Sequence, residues 1–176
     1  SPMSRGLGDV YKRQIIFSSD DEGYEGSGEW GGLIIHGYAP HNECAEGGSY
    51  CDIDSEGESG FAGGYDPDDS SGVLRYVVVA EGGYEFSTGN EINGISLVGV
   101  GSGTEMDYIQ VHGNSDDGIE FYGGNVNVKH GVFTNNNDDS VDWDEGYQGN
   151  LQYIIVKQGA STVSYTHLRA HETSEN

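Results

Sequence analysis

Short apolar segments return along the chain in step. LRYVVV (74–79), MDYIQV (106–111), VKHGVF (128–133) and LQYIIV (151–156) superpose at offsets of 32, 22 and 23 residues. Behind each of the first three comes a shorter segment, GISL (94–97), GIEF (118–121) and SVDW (140–143), at offsets of 24 and 22 residues. Turn-forming strings such as GNSDDG and TNNNDDS separate the two sets. Apolar and polar positions alternate with period two, and no stretch carries the 3.6-residue period of a helix, so strands are predicted and an α/β unit is not. A unit of two short strands in about 22–23 residues fits an all-β parallel β-helix, a solenoid of stacked coils, better than a hairpin sandwich. IIF (15–17) and WGGLII (30–35) read as strands of preceding coils. The longer first offset predicts a loop at about 80–90. The Gly-, Asp-, Glu- and Ser-rich stretch 38–72 reads as a long surface excursion.

In a solenoid, equivalent residues of successive coils lie about 4.8 Å apart and form ladders. Alternation in the second strand predicts Ile95/Ile119/Val141 and Leu97/Phe121/Trp143 inside, with Ser96/Glu120/Asp142 as the outer ladder. In the first strand it favours Val77/Ile109/Gly131/Ile154 and Val79/Val111/Phe133/Val156 as core columns. Tyr76, Tyr108, His130 and Tyr153 then face outward as an aromatic column. Strict alternation would turn Arg75, Asp107, Lys129 and Gln152 inward, so a bend after that charged column is required.

Composition narrows the partners. Asp and Glu number 30 against 7 Lys and Arg, a net charge of −23, which makes nucleic acid and anionic membranes poor partners. No apolar run approaches the roughly 20 residues of a spanning helix, so no membrane insertion is expected. The two ends have a separate origin. Back-translation of Ser4 to Gln14 and of Val163 to Thr173 permits two strings that are reverse complements over about thirty nucleotides, as expected of a sequencing adapter read in opposite directions. Residues 1–14 and 163–176 are therefore expected to be adapter-derived. The biological segment is then 15–162, a β-helix truncated at both ends. Arg75, Lys129 and Lys157 remain as its basic residues.

The strings GEWGGL (28–33), GYAPHN (37–42), GGYDPDDSSGVLRYV (63–77), NEINGISL (90–97), GVGSGT (99–104), DYIQVH (107–112), DDGIEFYGG (116–124) and DDSVDWDEGYQG (138–149) together resemble a bacterial family of secreted right-handed parallel β-helix proteins. The resemblance implies a right-handed solenoid, an extracellular or outer-surface location, and no established enzymatic activity. The Cys pair in the insert departs from that family's pattern.

The strongest chemical signal is acidic. Asp116/Asp138, Asp117/Asp139 and Glu120/Asp142 occupy equivalent places in adjacent coils, with Asp144 close by. Carboxylates about 4.8 Å apart repel by about 1 kcal/mol even in water, and more where desolvated. A Ca²⁺ ion held by such oxygens would offset this. The alternative is that Asp117 and Asp139 bond turn amides while Glu120 and Asp142 stay solvated. The column Tyr76, Tyr108, His130 and Tyr153 is a candidate platform for sugar rings or, equally, a stack that stabilises the coils. Cys44 and Cys51 are expected to form a disulfide, as an oxidising compartment allows. His36, His41, His112 and His130 fall on different columns, which argues against a zinc site. The resulting expectation is a non-enzymatic cell-surface protein that engages polysaccharide or surface matrix with Ca²⁺. Its rival is a polysaccharide lyase or glycoside hydrolase using Glu120 and Asp142.

Overall fold

The computed structural model describes residues 14–20, 23–44, 51, 53–54, 56–159 and 169–170. In chain order the strands are β1 (Ile15–Phe17), β2 (Leu33–His36), β3 (Ile53–Asp54), β4 (Phe61–Ala62), β5 (Val73–Ala80), β6 (Glu85–Ser87), β7 (Asn90–Glu91), β8 (Ile95–Val98), β9 (Glu105–His112), β10 (Ile119–Tyr122), β11 (Asn127–Thr134), β12 (Val141–Asp144), β13 (Leu151–Lys157) and β14 (Arg169–Ala170). Among the described residues a single 3-10 turn, Glu56–Glu58, interrupts them.

Two five-stranded sheets form the walls. One runs β1-β5-β9-β11-β13 and the other β14-β12-β10-β8-β2, and every pairing within them is parallel. Successive coils therefore stack strand on strand, which is a parallel β-helix. Leu74, Met106, Val128 and Leu151 pair in one file, as their spacing predicts. Both expected early strands are present, β1 beside β5 and β2 beside β8. Most of the terminal segments assigned to adapter lie outside the described residues. Arg169–Ala170, within the second of them, pairs with Asp142 and Trp143.

The core lies between the walls and is built from the predicted columns. Val77, Val79, Ile95, Leu97, Ile109, Val111, Ile119, Phe121, Phe133 and Val141 are all buried in one cluster, with Trp30 and Trp143 packed on its margin. Gly131 breaks the Val77/Ile109/Ile154 column, and the gap is filled. A Cβ there would lie 2.7 Å from the Phe133 ring and 2.9 Å from Ile154 Cδ1, so the large ring two residues on occupies the space that glycine leaves.

The required bend falls on the aromatic column itself. Tyr76, Tyr108, His130 and Tyr153 all have left-handed backbone, with φ of 56°, 55°, 52° and 62°. The ladder steps over each of them, pairing Arg75 with Asp107 and then Val77 with Ile109. One residue per coil is thus inserted between inward positions, so Arg75 and Tyr76 both face out and Val77 still faces in. Left-handed conformation in a non-glycine residue costs on the order of 1–3 kcal/mol and persists where the surroundings over-determine it. Here the rings stack, with centroids 4.8 Å apart for Tyr76–Tyr108, 4.5 Å for Tyr108–His130 and 4.9 Å for His130–Tyr153.

The turns are held by polar ladders. Asn114 and Asn136 are fully buried, and the Asn114 N–H donates to Asn136 Oδ1 at 3.2 Å. Asn114 Nδ2 donates to the carbonyls of Asp117 (2.8 Å) and Ile92 (3.1 Å). The asparagine-rich turns therefore supply the bonds that turn backbone in the interior needs.

The 38–72 excursion is more than surface loop. Cys51, Ile53 and Ala62 from it join Val98 in a second buried cluster, against which Ile34, Cys44 and Tyr122 pack. Ile34, Val98 and Tyr122 are outward positions of the second wall, so the insert folds back and covers that face. Cys44 and Cys51 are disulfide-bonded, with Cα atoms 5.3 Å apart. The loop expected at 80–90 contains the antiparallel hairpin β6–β7.

Candidate functional site

The covered face of the second wall carries the acidic ladder. Ser96 and Asp142 are buried there and Glu120 is half-buried, so the alternative in which Glu120 and Asp142 stay solvated does not hold for Asp142. Each of these positions has a strand on both sides, Ser96 between Ile34 and Glu120 and Asp142 between Glu120 and Arg169, whereas period-two alternation assigns a side chain to a face and says nothing about what lies over it. Glu120 and Asp142 pair directly across adjacent coils. Asn93 Nδ2 and the Tyr122 hydroxyl both donate to Glu120 Oε2.

Three sets of ligand-capable atoms converge among the described residues, each within 4.8 Å: Asp116/Asp117/Asp138, Asp117/Glu120/Asp142, and His41/Glu43/Glu145. The first two contain five of the seven acids singled out in the sequence, and Asp117 belongs to both. Asp139 and Asp144 are in neither. Asp139 instead gives its backbone N–H to Asp117 Oδ1 at 2.8 Å. In the preceding coil the Asp117 N–H donates to Asn93 Oδ1 at 3.2 Å. Asn93, Asp117 and Asp139 are thus successive rungs, each of the first two bonding the amide of the next.

The electrostatics of this wall are strained. Burial pushes the Asp117 carboxyl up to about 9, and Glu120, Asp116 and Asp142 push in the same direction, against the bond from the Asp139 amide. Burial also raises Asp144 to about 7, with Glu145, Asp142 and Glu43 adding to the shift. Asp144 Oδ1 and Glu145 Oε2 are buried oxygens with no hydrogen-bond partner.

A cleft of about 650 Å³ opens beside the wall, lined by His41, Glu43, Glu58, Phe86, Asp116, Tyr122 and Glu145 among others. The insert forms one flank and the β6–β7 hairpin the other. The His41 corner was not legible in the sequence, because its members lie about a hundred residues apart and share no spacing. Backbone bonds bring them together: the Asn42 N–H donates to the Glu145 carbonyl at 3.0 Å and the Gly124 N–H to the Pro40 carbonyl at 2.8 Å. Gly123 allows the approach, since a Cβ there would lie 2.7 Å from the His41 ring. Burial keeps His41 below its usual range, so it is neutral at pH 7. Its Nδ1 accepts the Glu43 N–H at 3.2 Å, and its Nε2 lies 3.9 Å from Glu145 Oε2, too far for a hydrogen bond.

The aromatic column lies on the other wall. Tyr76, Tyr108 and Tyr153 are exposed and His130 is half-buried, with its Nδ1 bonded to Asp107 Oδ1 at 2.7 Å. Each inner ring has both faces against neighbours, so a sugar meets ring edges and hydroxyls rather than an open aromatic face. Arg75 and Lys129 are also on this wall, and Arg75 pairs with Glu105.

Stacked parallel coils with an acidic cleft beside one wall define a parallel β-helix. The chain matches the pectate-lyase-like β-helix domain over residues 9–176, and it belongs to that family. No curated protein and no solved structure matches it.

Proposed function

We propose that this is an extracellular polysaccharide-binding β-helix whose second wall holds Ca²⁺ and presents it to an acidic glycan in the neighbouring cleft. One observation carries the reading: Asp117, Glu120 and Asp142 bring carboxylate oxygens within 4.8 Å of one another on a largely buried face. A hard divalent cation relieves that repulsion, and an all-oxygen donor set suits Ca²⁺. Asp116 and Asp138 extend the same patch, and Asp116 reaches the cleft lining. A cation that keeps open coordination positions then bridges protein carboxylates to glycan carboxylates, which the bare acidic wall would repel. The Cys44–Cys51 disulfide supports an oxidising, exported location. Affinity electrophoresis through gels containing polygalacturonate or alginate tests the binding. Retardation with Ca²⁺ that disappears with EDTA supports it, and equal mobility in both conditions refutes it.

A second reading, polysaccharide cleavage, draws on Asp144. A carboxyl raised to about 7 beside Glu145 has the protonation behaviour of a general acid. Glu120 and Asp142 fit less well, since their oxygens converge within 4.8 Å, closer than the about 5–5.5 Å of retaining hydrolases, and Asp142 is buried. Eliminative cleavage gains little from Arg75 and Lys129, which lie on the opposite wall. Release of reducing ends or unsaturated uronates by the wild-type protein, lost in Asp144→Asn, would favour this reading over binding alone.

A further inference from the structure

We propose that Tyr76 and Tyr108 are an oxidative cross-linking site, where a peroxidase-type oxidant joins the two rings as dityrosine and fastens one coil to the next. The cleft plays no part in this inference. It rests on the geometry of the aromatic column. The two rings are parallel within 10°, their centroids are 4.8 Å apart, and both side chains are about two-fifths exposed, so an oxidant reaches them from solvent. The left-handed backbone at both positions fixes the side chains outward in register. Among the described residues this is the one stacked tyrosine pair. Tyr153 stacks on His130 instead, and Tyr24, Tyr38 and Tyr84 are exposed without a tyrosine stacked on them.

The chemistry balances with hydrogen peroxide as the oxidant. Each phenol gives up one electron and its hydroxyl proton to become a phenoxyl radical. Unpaired spin resides partly on the ring carbon beside the oxygen, and the two radicals combine there in a Cε–Cε bond. The hydrogens on the joined carbons leave as protons, and the oxygens recover theirs as the rings regain aromaticity. Two hydrogen atoms are lost in all, and they convert one H₂O₂ to two waters. Neighbouring rings held in place react as a unimolecular pair, with an effective concentration that dilute protein cannot match between molecules.

Dilute protein treated with horseradish peroxidase and H₂O₂, then digested and mapped by mass spectrometry, tests the proposal. The expected product is a monomer in which the Tyr76 and Tyr108 peptides are joined, two hydrogens lighter than their sum, with dityrosine fluorescence. Tyr76→Phe and Tyr108→Phe keep a stacked ring and should each lower the monomer's dityrosine by about tenfold or more, whereas Tyr153→Phe should leave it unchanged. Dityrosine that joins separate molecules, that maps to other tyrosines, or that persists in Tyr108→Phe overturns the proposal. So does consumption of tyrosine without any dityrosine. If a phenylalanine variant melts lower than the wild type, the cross-link map of the wild-type protein alone decides.

Discussion

Asp117 accepts the backbone N–H of Asp139 from the next coil at 2.8 Å, while its own charge is opposed by burial and by Glu120, Asp116 and Asp142. One carboxyl is thus both a rung of the turn ladder and a strongly perturbed acid of the second wall. Its folded-state value of about 9 lies above its unfolded value near 4, so the folded chain holds a proton that the unfolded chain has lost. The stabilisation from that proton is complete below about pH 4 and is lost as pH rises towards 9. Asp144, raised to about 7, acts in the same direction over a narrower window. Melting in EDTA is therefore expected to fall steadily from pH 5 to pH 9, and Asp117→Asn should flatten that slope. A melting temperature that rises over this interval would contradict the burial of Asp117.

Gly131 is predicted to be irreplaceable in its column. In Gly131→Ala the methyl group would lie 2.7 Å from the ring of the buried Phe133, and overpacking of this kind costs about 1–3 kcal/mol. Urea unfolding should show the loss, and Phe133→Leu in the same chain should recover part of it. Full stability in the single variant would mean that the ring does not fill the gap.

The disulfide closes the insert, which in turn covers the second wall. Cys44→Ser is expected to cost about 2 kcal/mol and to loosen the packing of Ile53 and Ala62 on Val98. Hydrogen exchange should then quicken in 53–62 while β9 and β11 remain protected. Uniform acceleration along the whole chain would show that the insert and the solenoid unfold together.

The solenoid was legible because its coils repeat. The file Leu74, Met106, Val128, Leu151 and the outward placement of Tyr76, Tyr108, His130 and Tyr153 both follow from register alone. So did the need for a bend, since alternation could not keep Arg75 outside and Val77 inside at once. Its form, a left-handed residue at each aromatic, leaves no compositional trace, because tyrosine is not a residue that marks positive φ. The acidic pairs were legible as ladder neighbours, but the burial of Asp142 and Ser96 was not. Nor was the docking of the insert on Ile34, Val98 and Tyr122, because it has no repeat or periodicity and its few buried apolar residues, Ile53 and Ala62 among them, give no sign of where they pack. The His41, Glu43 and Glu145 corner stayed hidden for the same reason, being assembled by backbone bonds between segments far apart in sequence.

Titration of the full chain with Ca²⁺ by calorimetry at pH 7 asks whether the acidic wall holds the ion. Saturable heat with protons released is expected, because a cation at Asp117 displaces the proton that burial retains. Ca²⁺ should also give a higher melting temperature that EDTA reverses, with both effects lost in the pair of variants Asp117→Asn and Glu120→Gln. Absence of binding heat together with a melting temperature indifferent to Ca²⁺ and EDTA would contradict a Ca²⁺ site on this wall.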